Sequence, residues 1–328
     1  MTRDIINTTP DVPDSPDTPD APDTAGGSGR GAVHASAAGT WRLGDLTVNR
    51  LGLGAMRLTG SRPFSGGEPS DRATALRVLR RAVELGVNHI DTAAFYFSRL
   101  RSANELIAAA LAPYPDDLVV VTKVGPGRDP SGEWYAARPD QLRGQVEENL
   151  RQLGRDHLDV VNFRRQRRGS IAEHVGALAE LRQAGLIRHL GVSNVTVEHL
   201  AEARRIAPVV CVQNPFDVRA GGDDEVLRAC GDLGIAFVPF YSIAGARTVP
   251  GVEPVHAAED GQDARVRHVA RAHGVSAAQV RLAWTLHQGP HVLAIPGTGD
   301  PAHLEDNIAA GALRLTPEDL ELLAQIAA

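Results

Sequence analysis

From Trp41 onward, short apolar runs alternate with longer stretches in which apolar positions recur every three or four residues. The runs are Arg50–Gly54, His89–Asp91, Leu118–Lys123, Leu158–Phe163, His189–Ser193, Val209–Gln213, Ala236–Phe240 and Val292–Ile295. Continuous apolar runs this short predict parallel strands covered on both faces. The stretches between them predict helices. In Ala73–Leu85 the apolar residues fall on one face, and Gly86 closes the pattern as a C-terminal stop. The same periodicity predicts helices over Asn104–Leu111, Pro139–Leu153, Ile171–Ala184, Val197–Ile206, Asp224–Leu233, Ala264–His273, Ala277–His287 and Pro301–Ala309. Pro317–Ala327 reads as an extra C-terminal helix, and WRLGDLTV, starting at Trp41, as a short hairpin.

Eight strand–helix units in a span of about 270 residues is the count of a closed parallel (β/α)8 barrel, the TIM-barrel class of α/β folds. A doubly wound open sheet is the alternative. It would need a glycine-rich phosphate turn, but Gly52 and Gly54 lack a third glycine at the required spacing.

Ahead of the barrel, residues 1–39 repeat proline and aspartate among serine, threonine, alanine and glycine. Such a segment cannot bury enough apolar surface to offset its ordering entropy, so it is expected to be a disordered tail, with the barrel over 40–328. Its six aspartates against two arginines account for −4 of the chain's −6 charge, which leaves the barrel near neutral. No nucleic-acid surface is expected from that balance. The short cluster Arg164, Arg165, Arg167 and Arg168 reads as one solvated loop. No run approaches the roughly 18 apolar residues of a membrane span. The N-terminus lacks the apolar core of a secretory signal. Cys211 and Cys230 sit in apolar contexts, which argues for a reducing compartment and against disulfides. A cytoplasmic location is the expectation. The histidines lack ligand spacing, so no metal site is expected.

The basic residues are skewed: 33 arginines and one lysine, Lys123. Arginine replaces a surface lysine at little cost, but not a compact amine whose proton affinity must be tuned. Composition alone leaves open whether Lys123 has a role.

In a barrel of this kind, functional groups collect at the C-terminal ends of the strands. Those ends carry Asp91, Lys123, Arg164, Ser193 with Asn194, Gln213, Tyr241 with Ser242, and Gly297 with Thr298. Tyr96 follows Asp91 by five residues. A phenol can protonate a carbonyl oxygen, a neighbouring ammonium favours the phenolate, and a carboxylate keeps the ammonium charged. Asp91, Lys123 and Tyr96 on adjacent strand ends supply those parts. Phe95, Trp134 and Tyr135 are candidate walls for a flat substrate.

The segments GLGAMRL, LGVNHIDTAAFY, VVVTKVG, LDVVNFR, LIRHLGVSNV, CVQNPF, AFVPFYS and AIPGTGDPAHLEDN follow one another along the chain. In that order and spacing they resemble the signature segments of the aldo-keto reductases, over residues 41–328. The resemblance is strongest to the bacterial pyridoxal reductase branch. It implies reversible reduction of an aldehyde or ketone, pyridoxal among the candidates, with NADPH as cofactor and NADH as the other possibility. A carbonyl compound of a secondary-metabolite pathway is an alternative substrate. A non-catalytic nicotinamide-sensing barrel is the competing class.

By position, the resemblance makes Tyr96 the general acid, with Lys123 and Asp91 behind it. It places Ser193, Asn194 and Gln213 on the nicotinamide carboxamide and Tyr241 on its ring. Ser242 and Gly245 fall beside the pyrophosphate, and Gly297, Thr298, His303, Asp306 and Asn307 beside the adenosine end. Two positions depart from the family pattern. Arg164 stands where a histidine is usual; it can stabilise an oxyanion but cannot relay a proton. Gly297 and His303 stand where many members carry lysine and arginine toward the 2′-phosphate. The resemblance leaves the oligomeric state open.

Overall fold

In a computed structural model, residues 33–60, 69–129, 133–220, 224–243 and 264–326 are described. Seven parallel strands pair in chain order: β1 (Leu53–Gly54), β2 (His89–Asp91), β3 (Val119–Val124), β4 (Leu158–Arg164), β5 (Ile187–Ser193), β6 (Val209–Gln213) and β7 (Ala236–Phe237). An eighth segment, residues 292–297, joins the two edges. On one side Leu293 N donates to Phe237 O at 2.9 Å. On the other, Gly52 N donates to Ala294 O at 2.8 Å and Gly54 N to Pro296 O at 3.1 Å. These bonds close the sheet into the α/β barrel that the pattern predicts. The segment makes bridges rather than a full ladder, and β7 is shorter than the expected Ala236–Phe240 run.

The helices follow the predicted stretches: α1 (Arg72–Glu84), α2 (Ala103–Leu111), α3 (Leu142–Leu153), α4 (Ala172–Gln183), α5 (Val197–Ile206), α6 (Glu225–Leu233), α7 (Ala264–His273), α8 (Ala277–His287), α9 (Pro301–Ala309) and α10 (Pro317–Ala324). Local chemistry sets their ends. Asp71, Ser102 and Asp224 accept first-turn amides at the starts of α1, α2 and α6. Gly154 and Gly234 turn left-handed after α3 and α6.

Strand alternation divides the core in two. One face of β3 sends Val120 and Val124 outward to meet the helices. The other sends Val119 and Val121 inward with Val160, Cys211, Val238 and Leu293. Lys123 continues that inward face, two residues beyond Val121. The N-terminal hairpin, Thr40–Leu43 paired with Leu46–Asn49, plugs the bottom of the barrel with Leu43 and Val48. Its turn needs Gly44, whose φ is +67° and whose Cβ would fall 2.3 Å from the His189 ring. Asp45 beside it accepts from Arg188 at 2.7 Å and pairs with His189 at 2.5 Å, pinning the plug to β5.

Inside the barrel, Gly191 faces Asn162 and Cys211. A Cβ there would lie 2.0 Å from Asn162 Oδ1 and 2.6 Å from Cys211 Sγ, with strand backbone leaving no retreat. Gly191→Ala is therefore expected to destabilise the fold by about 1–3 kcal/mol, read as a lowered midpoint in denaturant unfolding.

The composition of residues 1–39 extends the tail too far. Residues 1–32 lie outside the described residues, but the barrel unit begins at Val33. Ala35–Ala38 form a 3-10 turn with Ala35 and Ala38 buried, held by Ala35 N to Leu85 O and by Arg50 and Arg314 on the turn's carbonyls. Ala38 packs against Gly311, where a Cβ would come within 3.2 Å of its side chain.

Candidate active site

Asp91 ends β2 and Lys123 sits one residue before the end of β3, and the inward parity of both strands brings their side chains together. Lys123 Nζ donates to Asp91 Oδ1 at 2.5 Å and to the Thr92 carbonyl at 3.1 Å. The ammonium also faces the Tyr96 side chain, 5.0 Å from its ring centroid, and interacts electrostatically with it. Lysine and aspartate are each 3% exposed, so the pair is cut off from bulk water. Burial works most strongly against the ammonium, but Asp91 and Tyr96 together outweigh it and raise the lysine above its ordinary pKa. Lys123 is thus a fixed cation.

The pair is held from outside as well. Gln213 Nε2, from the end of β6, donates to Asp91 Oδ2 at 2.6 Å. Thr92 is anchored through Asn104, at 2.7 Å, and Asn104 through Asn149, at 2.9 Å, which also accepts from Thr122. This buried chain runs behind the barrel wall through α2 and α3 and fixes the carbonyl that Lys123 meets. Below the pair, His89 is fully buried and pushed down to about pH 4 by that burial, so it is neutral.

Three inward polar groups at the strand ends lack a partner. Ser193 Oγ, Gln213 Oε1 and Asn162 Nδ2 are buried and unbonded. Buried polar groups without partners are uncommon, and those in a barrel mouth mark a place for a ligand. A carboxamide, with one acceptor and two donors, can satisfy the Ser193 hydroxyl and the Gln213 oxygen together. Backbone geometry agrees: Asn194 (φ +60°) and Tyr241 (φ +68°) are the non-glycine residues with positive φ among the described residues. Strain of this kind clusters at ligand sites. Arg165 holds the Asn194 turn, donating to its carbonyl at 2.7 Å and accepting from Asn194 Nδ2 at 3.1 Å. The residues at the mouth therefore fit a nicotinamide group.

Around the mouth, Phe95 packs edge-on to Tyr96 (5.2 Å) and to Trp134 (5.9 Å). Trp134 reaches them on a second hairpin, Pro126–Arg128 with Trp134–Ala136, in a stretch that reads as a loop in the sequence. Tyr135 points the other way, exposed over Gly127, and is not a wall of the mouth. The Arg164 guanidinium stands 4.9 Å from the Phe240 ring centroid. Tyr241 is pushed up to about 12, chiefly by burial, against the pull of nearby Arg164.

On the far side of the mouth, Gly297 lies against Gly54, and Thr298 is buried with its hydroxyl accepting from Asp300 N. His303 and Asp306 are exposed on α9, and Asn307 is buried. The amides at the start of α9 are not open to a phosphate: Asp300 accepts from Ala302 and His303. Gly245 lies outside the described residues. Two neighbours escaped the sequence reading. Asn162 follows from the parity of β4, sharing a face with Val160 and Arg164. Arg57, whose side chain passes Gly297, has no sequence signal. Among the described residues no cluster of metal-ligating side chains occurs, and no helix is long and apolar enough to cross a membrane.

The aldo/keto reductase family profile matches residues 50–328. Pyridoxine 4-dehydrogenase of Escherichia coli is 43% identical over 295 residues, covering 88% of this chain and 98% of that protein. A thermostable aldo-keto reductase solved with the inhibitor epalrestat superposes with a TM-score of 0.72 at 29% identity, over 88% of this chain and 99% of that one. An aldo-keto reductase from Klebsiella pneumoniae solved with NADPH gives 0.68 at 25% identity, over 86% and 92%. The order of the strands, the charged pair at their ends and these matches agree: the chain belongs to the aldo/keto reductase family.

Proposed function

We propose that the protein reduces an aldehyde or ketone to the alcohol, reversibly, with a nicotinamide cofactor, and that pyridoxal is a substrate. The observation that carries this reading is the buried Asp91–Lys123 pair facing Tyr96 and set beside the unbonded Ser193 and Gln213 atoms.

When bound, the reduced nicotinamide supplies a hydride to the carbonyl carbon. Every other part of the reaction falls to the chain. Tyr96 gives its hydroxyl proton to the carbonyl oxygen. Lys123 stabilises the phenolate left behind, and Asp91 keeps that cation charged and in place. Arg164 faces the same oxygen as a permanent cation and stabilises its developing negative charge without exchanging a proton. Phe95 and Trp134 form an apolar wall for a flat ring. Ser193, Asn194 and Gln213 hold the carboxamide and Tyr241 the ring. Ser242 and Gly245 take the pyrophosphate. Gly297, Thr298, His303, Asp306 and Asn307 take the adenosine end.

NADPH is the cofactor this reading favours: a similar reductase is solved with it, and Arg57 beside Gly297 brings a cation to that end of the mouth. One observation favours NADH as a second reading: the Asp300 carboxylate occupies the α9 amides and repels a phosphate there. Following cofactor oxidation with pyridoxal, benzaldehyde and simple ketones, each with NADPH and with NADH, tests all of this. Turnover of pyridoxal with a lower KM for NADPH is the expected result. Cofactor binding with no carbonyl turned over would instead make the barrel a sensor.

A further inference from the structure

A cavity of about 200 Å³ opens between the loops that follow β3 and β4, against the start of α4. Its floor is fixed: His174 stacks on Phe163 with ring centroids 4.6 Å apart and pairs with the Ala137 carbonyl at 3.0 Å. Its lining contains Arg138, Arg164, Arg165, Arg167 and Arg168, and no aspartate or glutamate. Arg138 faces Asp140 at 2.9 Å. The other four make no ion pair among the described residues. Glu202, across the rim, is engaged by Ser170 and the Ile171 amide.

Arg165 shows that this loop is more than a solvated charge run. It is fixed by two carbonyl oxygens, of Asn194 at 2.7 Å and Arg167 at 3.2 Å, which orient its charge without cancelling it. Burial and then the neighbouring charge of Arg168 lower its pKa, a repulsion that an anion would relieve. The cavity is too small for a polymer and has room for one compact anion. The barrel order places it opposite the Tyr241 and Gly297 side, where the cofactor phosphates are expected. Arg164 lines it and also reaches toward the mouth. A carbonyl held by Tyr96 and Arg164 would lie next to this cavity, because Arg164 borders both.

We propose that this cavity is the subsite for an anionic group, a phosphate monoester or a carboxylate, carried by the carbonyl substrate. The proposal rests on the reductase reading above. It is tested with matched pairs: pyridoxal 5′-phosphate against pyridoxal, and 4-carboxybenzaldehyde against benzaldehyde. In at least one pair the anionic member is expected to have a kcat/KM about tenfold or more higher, carried by KM and eroded by salt. The pair that shows it identifies the anion. In the double variant Arg167→Ala/Arg168→Ala the ratio should fall toward one. Equal rates within both pairs would overturn the subsite and leave the reductase intact. If none of the four aldehydes is reduced, the reductase reading fails, and calorimetric titration of inorganic phosphate and of benzoate still decides the cavity. Binding weakened about tenfold by the double variant supports it. Binding that the variant leaves unchanged, or no binding of either anion, overturns it.

Discussion

Tyr96→Phe is expected to lower kcat/KM for carbonyl reduction by roughly 10²–10⁴-fold while leaving cofactor affinity near its original value. The loss comes from the missing proton donor. The ring keeps its place, because it packs edge-on against Phe95 and under the Lys123 ammonium. Losing the hydroxyl leaves the lysine held by Asp91 and Thr92, so the cost in stability is expected to be about 1 kcal/mol or less. Steady-state kinetics with a calorimetric cofactor titration separates the two effects. Near-native turnover in the phenylalanine variant would remove Tyr96 from the reaction.

The second large effect falls on the cation. Lys123→Met leaves Asp91 buried with Gln213 as its remaining partner, an uncompensated charge worth about 3–5 kcal/mol of lost stability. Turnover should fall with it, since the phenolate would lose its stabilising charge. Adding Asp91→Asn removes the stranded carboxylate. The double variant should regain most of the stability in denaturant unfolding and none of the activity. If the double variant is no more stable than the single one, the pair is not what holds this end of the barrel. If it regains activity, Lys123 is structural. The pH dependence has a definite sign. Asp91 and Tyr96 raise the lysine pKa above 10.5, so the stabilisation is complete below that value and fades as the pH climbs through the folded pKa. It is therefore intact throughout the neutral range.

Both predictions rest on residues readable from the chain alone. Asp91 and Lys123 end apolar runs whose inward parity is fixed by period two, so their meeting follows once the barrel is drawn. The stop at Gly86 was legible for the same local reason, whereas the caps Asp71 and Ser102 and the stop at Gly154, which also act within a turn, emerge with the structure. What the chain hides is decided across long separations. Val292–Ile295 reads as a strand, but whether residues 292–297 would pair with both edges depended on Phe237 and Gly52. Trp134 reads as loop until Gly127 gives Tyr135 room to pack beside it. The Asp300 carboxylate, three residues before His303 in no recognisable phosphate motif, takes the amides that a phosphate would need. The arginines of 164–168 read as a solvated run because concavity has no sequence period; Asn194 and the α4 start create it. The roles of Arg164 and of the adenosine-side residues rest on position in the family pattern together with this placement.

The scarcity of lysine has a further chemical side. Aldehydes condense with free ε-amines to give imines, and the chain's one ε-amine is 3% exposed, protonated and spent on Asp91. Everywhere else positive charge is carried by guanidinium groups, which stay protonated and do not form such adducts under the same conditions. If aldehydes are the substrates, as proposed above, the barrel offers them a surface without lysine on which to become trapped.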